Sequence, residues 1–497
     1  MERKSIMVQG TASSVGKSVI CTAICRILTE DGKRVAPFKA QNMSLNSYIT
    51  EDGLEIGRAQ GIQGEACKIK PTVEMNPILL KPTADNKSQI VVKGKVLANL
   101  EAQEYYSIKG KLKRIIKECY FKLLNNNDVV VIEGAGSPAE INLNKDDIVN
   151  MGMAKMANSP VLLVADIDKG GVFASIYGTV MLLDEEDRKR IKGIIINKFR
   201  GDIEILKPGL KTIENLVNIP VIGVIPYFLY KIEDEDSVTD WARYKRQGDF
   251  HIAVIKLPRI SNFTDINPLL LYENIDLKFV ELQDDLGEVD LIILPGSKNT
   301  IEDLQALKKT GMFDKILKAY KKGVNIFGIC GGYQMLGKEI KDCYGVESSI
   351  KSTNGFNLLP ITTEFRQDKI TTLSDGEDML FNCPVKGYEI HMGKTEFVEN
   401  SIYPLIKVEK EGQIYFDGCF NEDKNVFGTY FHGIFENQEF TLNLLNLLRV
   451  NRGKRPEIVK VDYEEHKEKE YTKLAQLVRE NLDIKKLYQI IEEGHRD

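Results

Sequence analysis

The chain has 497 residues, which at roughly 150 per domain predicts two to four domains. Lys plus Arg number 67 and Asp plus Glu 72, and the resulting net charge of −5 speaks against a general nucleic-acid binder, whose surface would carry a basic excess. Hydrophobic residues at 43% and charged residues at 28% are the proportions of a folded globular chain rather than a disordered one.

The N-terminus turns polar at Gln9 and Gly10, too early for a secretion signal, and no apolar run approaches the roughly 18 residues of a membrane span. The cysteines are scattered, with no Cys-x-x-Cys pair, so a cytoplasmic location is expected and neither a zinc site nor a disulfide framework is. Short apolar runs at Ser5–Val8, Arg34–Phe38, Val129–Ile132, Val161–Ala165, Ile194–Ile196 and Val221–Ile225 alternate with helical patterns. That pattern predicts parallel strands buried on both faces in an α/β domain over residues 1–230.

The first run leads into Gly10-Thr11-Ala12-Ser13-Ser14-Val15-Gly16-Lys17-Ser18 and then the helical Val19–Leu28. Backbone N–H groups of such a loop and the helix N-terminus can wrap nucleotide phosphates, with Lys17 on the β/γ-phosphates and the Ser18 hydroxyl on Mg²⁺. Five residues rather than the usual four separate Gly10 from Gly16. A chance glycine turn is the competing explanation, but the strand–loop–helix context favours ATP binding. Glu133, at the end of Val129–Ile132, sits where ligands of parallel sheets bind and is a candidate Mg²⁺ ligand beside Ser18. Asp166 and Asp168 compete with it for that role.

Residues 231–250, charged and holding the only tryptophan, Trp241, read as a linker. A second α/β series spans 251–445, with strands expected at Ile252–Ile255, Leu291–Leu294, Asn325–Ile329 and Val426–Phe431. Cys330-Gly331-Gly332 follows one strand as a sharp turn into a helix, a setting that exposes a thiolate nucleophile. Leu294-Pro295-Gly296-Ser297 ends another, so backbone N–H groups of Gly296 and Gly331 can form an oxyanion hole. His432, after the last strand, is the natural base. His391 reads as structural or substrate-lining. Residues 446–497 form a helical tail, with Leu474, Leu477, Leu482 and Leu487 on one stripe.

An ATP site and a Cys–His glutaminase in one chain make chemical sense together. A carboxylate forms an amide at neutral pH only when activated, and ATP activates it as an acyl phosphate. Ammonia is scarce at neutral pH, and a glutaminase releases it in place through a glutamyl thioester. The combination predicts a glutamine-dependent, amide-forming ligase.

Several stretches are specific. Pro37-Phe38-Lys39-Ala40-Gln41-Asn42-Met43-Ser44-Leu45-Asn46-Ser47, Ile132–Leu143, Ala165–Phe173, Leu294–Thr300, Gly328–Gly337, Gly387–Gly393 and Gly428–Gly433 together resemble the cobyric acid synthase family over nearly the whole chain. The resemblance implies a dethiobiotin-synthetase-like P-loop domain followed by a class I glutamine amidotransferase domain with a flavodoxin-like core. It implies amidation of side chains b, d, e and g of the corrinoid adenosylcobyrinic acid a,c-diamide, with ATP, Mg²⁺ and glutamine. By motif, Cys330 is the nucleophile and His432 the base, while Gly10, Thr11, Gly16, Lys17, Ser18 and Lys39 serve ATP. Asn197 resembles an adenine-reading asparagine. Gln41, Asn42 and Ser44 are candidate substrate contacts, with an ordinary polar turn as the alternative. Lys39, Lys81 and Arg58 are the basic residues available to an acidic substrate.

Two departures stand out. Class I amidotransferases usually carry Glu two residues after the histidine; here Ile434 stands there and Glu436 is the nearest acid. Relatives of the P-loop domain carry an acidic metal ligand near Lys39, where this chain has Gln41-Asn42. The rival readings are cobyrinic acid a,c-diamide synthase, a cell-wall amidotransferase and, in a different class, a partition-type ATPase. The last typically has an extra lysine early in the loop, and Thr11–Val15 has none.

Overall fold

The computed structural model describes residues 4–84, 87–142, 147–228, 248–398, 403–410, 412–456, 459 and 461–495. It divides into two compact units, one of residues 1–238 with 464–497 and one of residues 239–463. Most of the expected linker 231–250, with Trp241, lies outside the described residues.

The first unit is built on six parallel strands: β1 (Lys4–Gly10), β2 (Val35–Phe38), β3 (Val129–Glu133), β4 (Val161–Asp166), β5 (Ile191–Phe199) and β6 (Val221–Pro226). Their spatial order is β6-β5-β4-β1-β3-β2. Pro37 is tolerated because β2 lies at the edge, where a missing N–H costs no ladder bond. Both faces are covered, so Ile6 and Val8 enter one core and Met7 the other. Helix α1 (Lys17–Glu30) covers the first face, and α2 (Arg58–Ala66) packs against it. Residues between β2 and β3 add a four-stranded sheet made of Gln41–Met43 and three antiparallel strands over 78–101, neither of which periodicity had signalled.

The second unit has a parallel core of β7 (Phe250–Ile255), β8 (Ile275–Val280), β9 (Leu291–Leu294), β10 (Asn325–Ile329) and β11 (Val426–Thr429), ordered β8-β7-β9-β10-β11. Strand β11 stops two residues short of the expected Phe431. Beyond it the sheet continues as long antiparallel strands, among them Ile361–Asp378 and Pro384–Phe397. Helices α3 (Thr300–Thr310), α4 (Gly331–Leu336) and α5 (Gln438–Asn451) pack on this core.

The tail expected over 446–497 is not one body. Helix α5 belongs to the second unit, whereas α6 (Tyr463–Asn481) and α7 (Ile484–Glu493) close the first. Leu474, Ala475, Val478, Leu487 and Ile491 share a core with Ile20, Cys21 and Ile24 of α1. Arg26 reaches Glu468 at 2.9 Å and Arg479 reaches Asp31 at 3.0 Å at the rim of that contact. The apolar stripe legible in the sequence is therefore the missing cover of the P-loop sheet. Leu474→Ala is expected to destabilise the first unit by about 2–5 kcal/mol. The check is thermal unfolding, in the transition that ATP shifts upward.

Candidate functional site

The expected phosphate-loop residues, Glu133 and Asn197 lie at the C-terminal edge of the six-stranded sheet, whereas Gln41 and Asn42 lie on a strand of the four-stranded sheet. The loop after β1 enters α1 through Gly16, whose φ of 97° and closeness to Asn197 leave no room for a side chain: an added Cβ would sit 2.1 Å from Asn197 Nδ2. Lys17 curls over the loop, donating from Nζ to the carbonyls of Ala12 and Gly136, each at 3.0 Å. Asn197 donates to the Val15 carbonyl at 2.9 Å and Lys198 to that of Ser14 at 2.8 Å. One Asn197 amide N–H thus braces the loop backbone.

Glu133 is buried and gathers donors from three elements: Ser18 Oγ at 2.8 Å, Lys39 Nζ at 2.8 Å and Gln63 Nε2 at 2.5 Å. The rival acids are engaged elsewhere, Asp166 with Lys198 at 2.8 Å and Asp168 with Arg200 at 2.9 Å. Geometry therefore singles out Glu133 as the carboxylate beside Ser18. Among the described residues no three His, Cys, Asp or Glu side chains gather as a metal cluster. A hydroxyl and one carboxylate fit Mg²⁺ that shares its remaining positions with phosphates and water.

The Gln41–Ser47 loop is less open than expected. Asn42 and Ser44 are buried, Asn42 donating to Gln60 at 3.3 Å and Ser44 accepting the Asn46 N–H at 3.0 Å, while Met43 between them is 57% exposed. The Tyr105 hydroxyl bonds Gln41. Asn42 and Ser44 thus shape the loop, which the sequence could not distinguish from contact with substrate. Lys81 is paired with Glu55 and Ser47, each at 2.7 Å, and Arg58 lies over the Tyr48 ring at 5.8 Å. Gln63 and Asn76, which donates to the Lys39 carbonyl at 3.0 Å, are buried organisers the sequence did not flag.

In the second unit the neighbouring strands β7, β9, β10 and β11 each end in a loop that supplies one part. Cys330 follows β10 with φ 49° and ψ −105°, a strained elbow for a residue with a Cβ. Gly332 permits it: a Cβ there would lie 1.9 Å from the Leu294 carbonyl. The Cys330 thiol donates to the Ile390 carbonyl at 3.7 Å, and the sulfur lies close enough to His432 to favour its charged form. The Tyr388 ring stacks on His432 with centroids 5.0 Å apart, and their backbones exchange N–H···O bonds of 3.1 and 2.9 Å.

The acid missing after His432 in sequence comes from the loop after β7. Asp265 Oδ2 lies 2.6 Å from His432 Nδ1, and its other oxygen accepts the Gly433 N–H at 3.0 Å. Neither Ile434 nor Glu436 holds the ring. Burial disfavours the charged imidazole, but the Asp265 carboxylate and Cys330 outweigh it and push the His432 pKa up to about 10. No local signal marks Asp265, which lies well past the end of β7 at Ile255. Asp265→Asn is expected to lower kcat for glutamine hydrolysis by about 10²–10⁴, since it removes the charge and favours the wrong tautomer. A steady-state assay of glutamate release checks this.

The oxyanion donors also shift by one residue. Ile260–Ser261 pairs antiparallel with Gly296–Ser297, and the Lys298 N–H donates to the Arg259 carbonyl at 2.9 Å. The alternation of such a ladder turns Gly296 N–H toward Ser261 and leaves Ser297 N–H on the other side. That nitrogen lies 2.9 Å from an ideal Cβ on Gly331, nearer than any other atom. Ser297 with Gly331, rather than Gly296 with Gly331, is the donor pair the geometry offers. His391 stacks on Tyr430 at 3.7 Å and bonds the Gly393 carbonyl through Nδ1 at 2.7 Å, the structural one of its two expected roles.

A phosphate-loop unit and a Cys–His unit with an oxyanion turn define an amide-forming ligase that carries its own glutamine amidotransferase domain. Models of the CobQ/CobB/MinD/ParA nucleotide-binding domain and of the CobB/CobQ-like glutamine amidotransferase domain match residues 6–236 and 251–440. The chain is 56% identical over 500 residues to the cobyric acid synthase of Clostridium novyi (strain NT), covering 99% of each. It is 53% identical over 499 residues to that of Caldanaerobacter subterraneus subsp. tengcongensis, covering 98% of each. It belongs to the cobyric acid synthase family, and is an ATP-binding ligase of cobalamin biosynthesis.

Proposed function

We propose that the protein amidates the b, d, e and g carboxylates of adenosylcobyrinic acid a,c-diamide, drawing nitrogen from glutamine and activation from ATP, to give adenosylcobyric acid. The observation that carries the glutamine half is the Cys330–His432–Asp265 arrangement. The Cys330 thiol gives its proton to His432 as its sulfur adds to the carbonyl carbon of the glutamine side-chain amide, and the Ser297 and Gly331 N–H groups receive the oxyanion. His432, held as imidazolium by Asp265, returns its proton to the departing nitrogen, which leaves as ammonia. Water then hydrolyses the glutamyl thioester.

In the first unit the loop amides and Lys17 bind the ATP phosphates, with Lys39 beside them. Ser18 and Glu133 would hold Mg²⁺, which neutralises phosphate charge while the γ-phosphoryl group passes to a corrinoid carboxylate. Ammonia displaces phosphate from the resulting acyl phosphate. Reliance on ATP and on a thiol nucleophile supports a cytoplasmic reaction. The test is stoichiometry: with the corrinoid and glutamine present, one ADP and one glutamate are expected per amide formed. ADP release without amide formation would contradict the coupling.

A further inference from the structure

The oxyanion turn owes its shape to a residue that the reaction scheme does not use. Asp303 on α3 is fully buried. One of its oxygens, Oδ2, accepts the Ser297 hydroxyl at 2.7 Å and the Arg259 backbone N–H at 3.1 Å; the Arg259 guanidinium approaches Oδ1 at 3.3 Å. Ser297 Oγ in turn accepts the Asn299 N–H at 3.1 Å. The carboxylate therefore ties together both sides of the short ladder that presents the Ser297 N–H.

Burying a carboxylate is unfavourable, and burial pushes the Asp303 pKa up to about 6 despite these donors. Stability alone is as well served at such a position by an apolar side chain. What an apolar side chain could not do is hold Ser297 by its hydroxyl. An oxyanion donor works only if it is in place before charge develops, and a displacement of about 1 Å can cost 10²-fold.

We infer that Asp303 is a positioning residue for the glutaminase: through the Ser297 hydroxyl it fixes the Ser297 N–H beside Gly331, where the tetrahedral oxyanion forms. This rests on the glutaminase reading above. Asp303 touches neither Cys330 nor His432 through any bond described, so its removal changes the fate of the oxyanion and not the reactivity of the sulfur.

The experiment compares Asp303→Ala, Asp303→Asn and Ser297→Ala in the full chain. It measures kcat and KM for glutamine hydrolysis and the rate at which iodoacetamide alkylates Cys330, a reaction that forms no oxyanion. Asp303→Ala and Ser297→Ala are expected to lower kcat about 10–100-fold, with KM and alkylation within about twofold of the parent, a band set by the 0.3–0.5 kcal/mol over which uncoupled sites vary. Asp303→Asn, whose amide oxygen can still accept the Ser297 hydroxyl, recovers most of the loss. Ser297→Ala removes a single hydroxyl and carries the test if Asp303→Ala fails to fold. Unchanged kcat in Ser297→Ala and Asp303→Ala, or alkylation falling in step with kcat, overturns the inference. So does an Asp303→Asn variant as impaired as Asp303→Ala. Glutamine hydrolysis that persists in Cys330→Ala would instead remove the glutaminase reading itself.

Discussion

Cys330→Ala is expected to abolish amidation supported by glutamine, by on the order of 10⁴-fold or more, while amidation supported by an ammonium salt continues. The sulfur is placed to form the thioester: it sits at a strained elbow, near His432, with the Ser297 and Gly331 backbone beside it. Alanine at 330 keeps the Cβ and the backbone of the elbow, so the fold has little reason to change. On the proposed scheme the acyl phosphate forms in the first unit from groups that do not include Cys330, and free ammonia can attack it. Product assays with glutamine and with ammonium chloride, run in parallel, check this. Loss of both activities would mean that Cys330 supports the structure rather than the chemistry.

Glu133→Gln has the complementary signature. Amidation is expected to fall by about 10³-fold or more with either nitrogen source, because electrostatic support of phosphoryl transfer is the unit's main contribution. Glutamine hydrolysis should survive. The substitution also removes the charge opposite Lys39, whose ammonium and Glu133 are both buried at 2.8 Å separation. Breaking one side of such a pair costs about 3–5 kcal/mol, so the first unit should melt earlier as well. Glu133→Asp, which keeps the charge on a shorter arm, should recover stability more than activity. ADP release and thermal unfolding of the two variants separate these effects.

The parts of the site that follow strands directly were legible in the chain. Glu133, Cys330 and His432 each stand directly past an apolar run, and Gly16–Ser18 close the loop that follows another; parallel strands buried on both faces make such runs conspicuous. What the sequence hid were partners set by tertiary contact. Asp265 reaches His432 across 167 positions and Gln63 reaches Glu133 across 70, distances at which no local pattern exists. The choice of Glu133 over Asp166 was equally invisible, because it depends on Lys198 claiming Asp166. That the Ser297 N–H rather than the Gly296 N–H faces Gly331 follows from ladder register alone. Strand Ile361–Asp378 escaped notice because its one-sided burial leaves a mostly polar string of residues. The apolar stripe of α6 and α7 was readable, but not that it returns to cover the first sheet.

The measurement that bears most directly on the whole account is mass spectrometry of adenosylcobyrinic acid a,c-diamide incubated with the protein, ATP, Mg²⁺ and glutamine. Four successive carboxylate-to-amide conversions, absent without ATP and carrying heavy nitrogen when the glutamine amide is labelled, are the predicted result. An unchanged corrinoid alongside steady glutamine hydrolysis would contradict it.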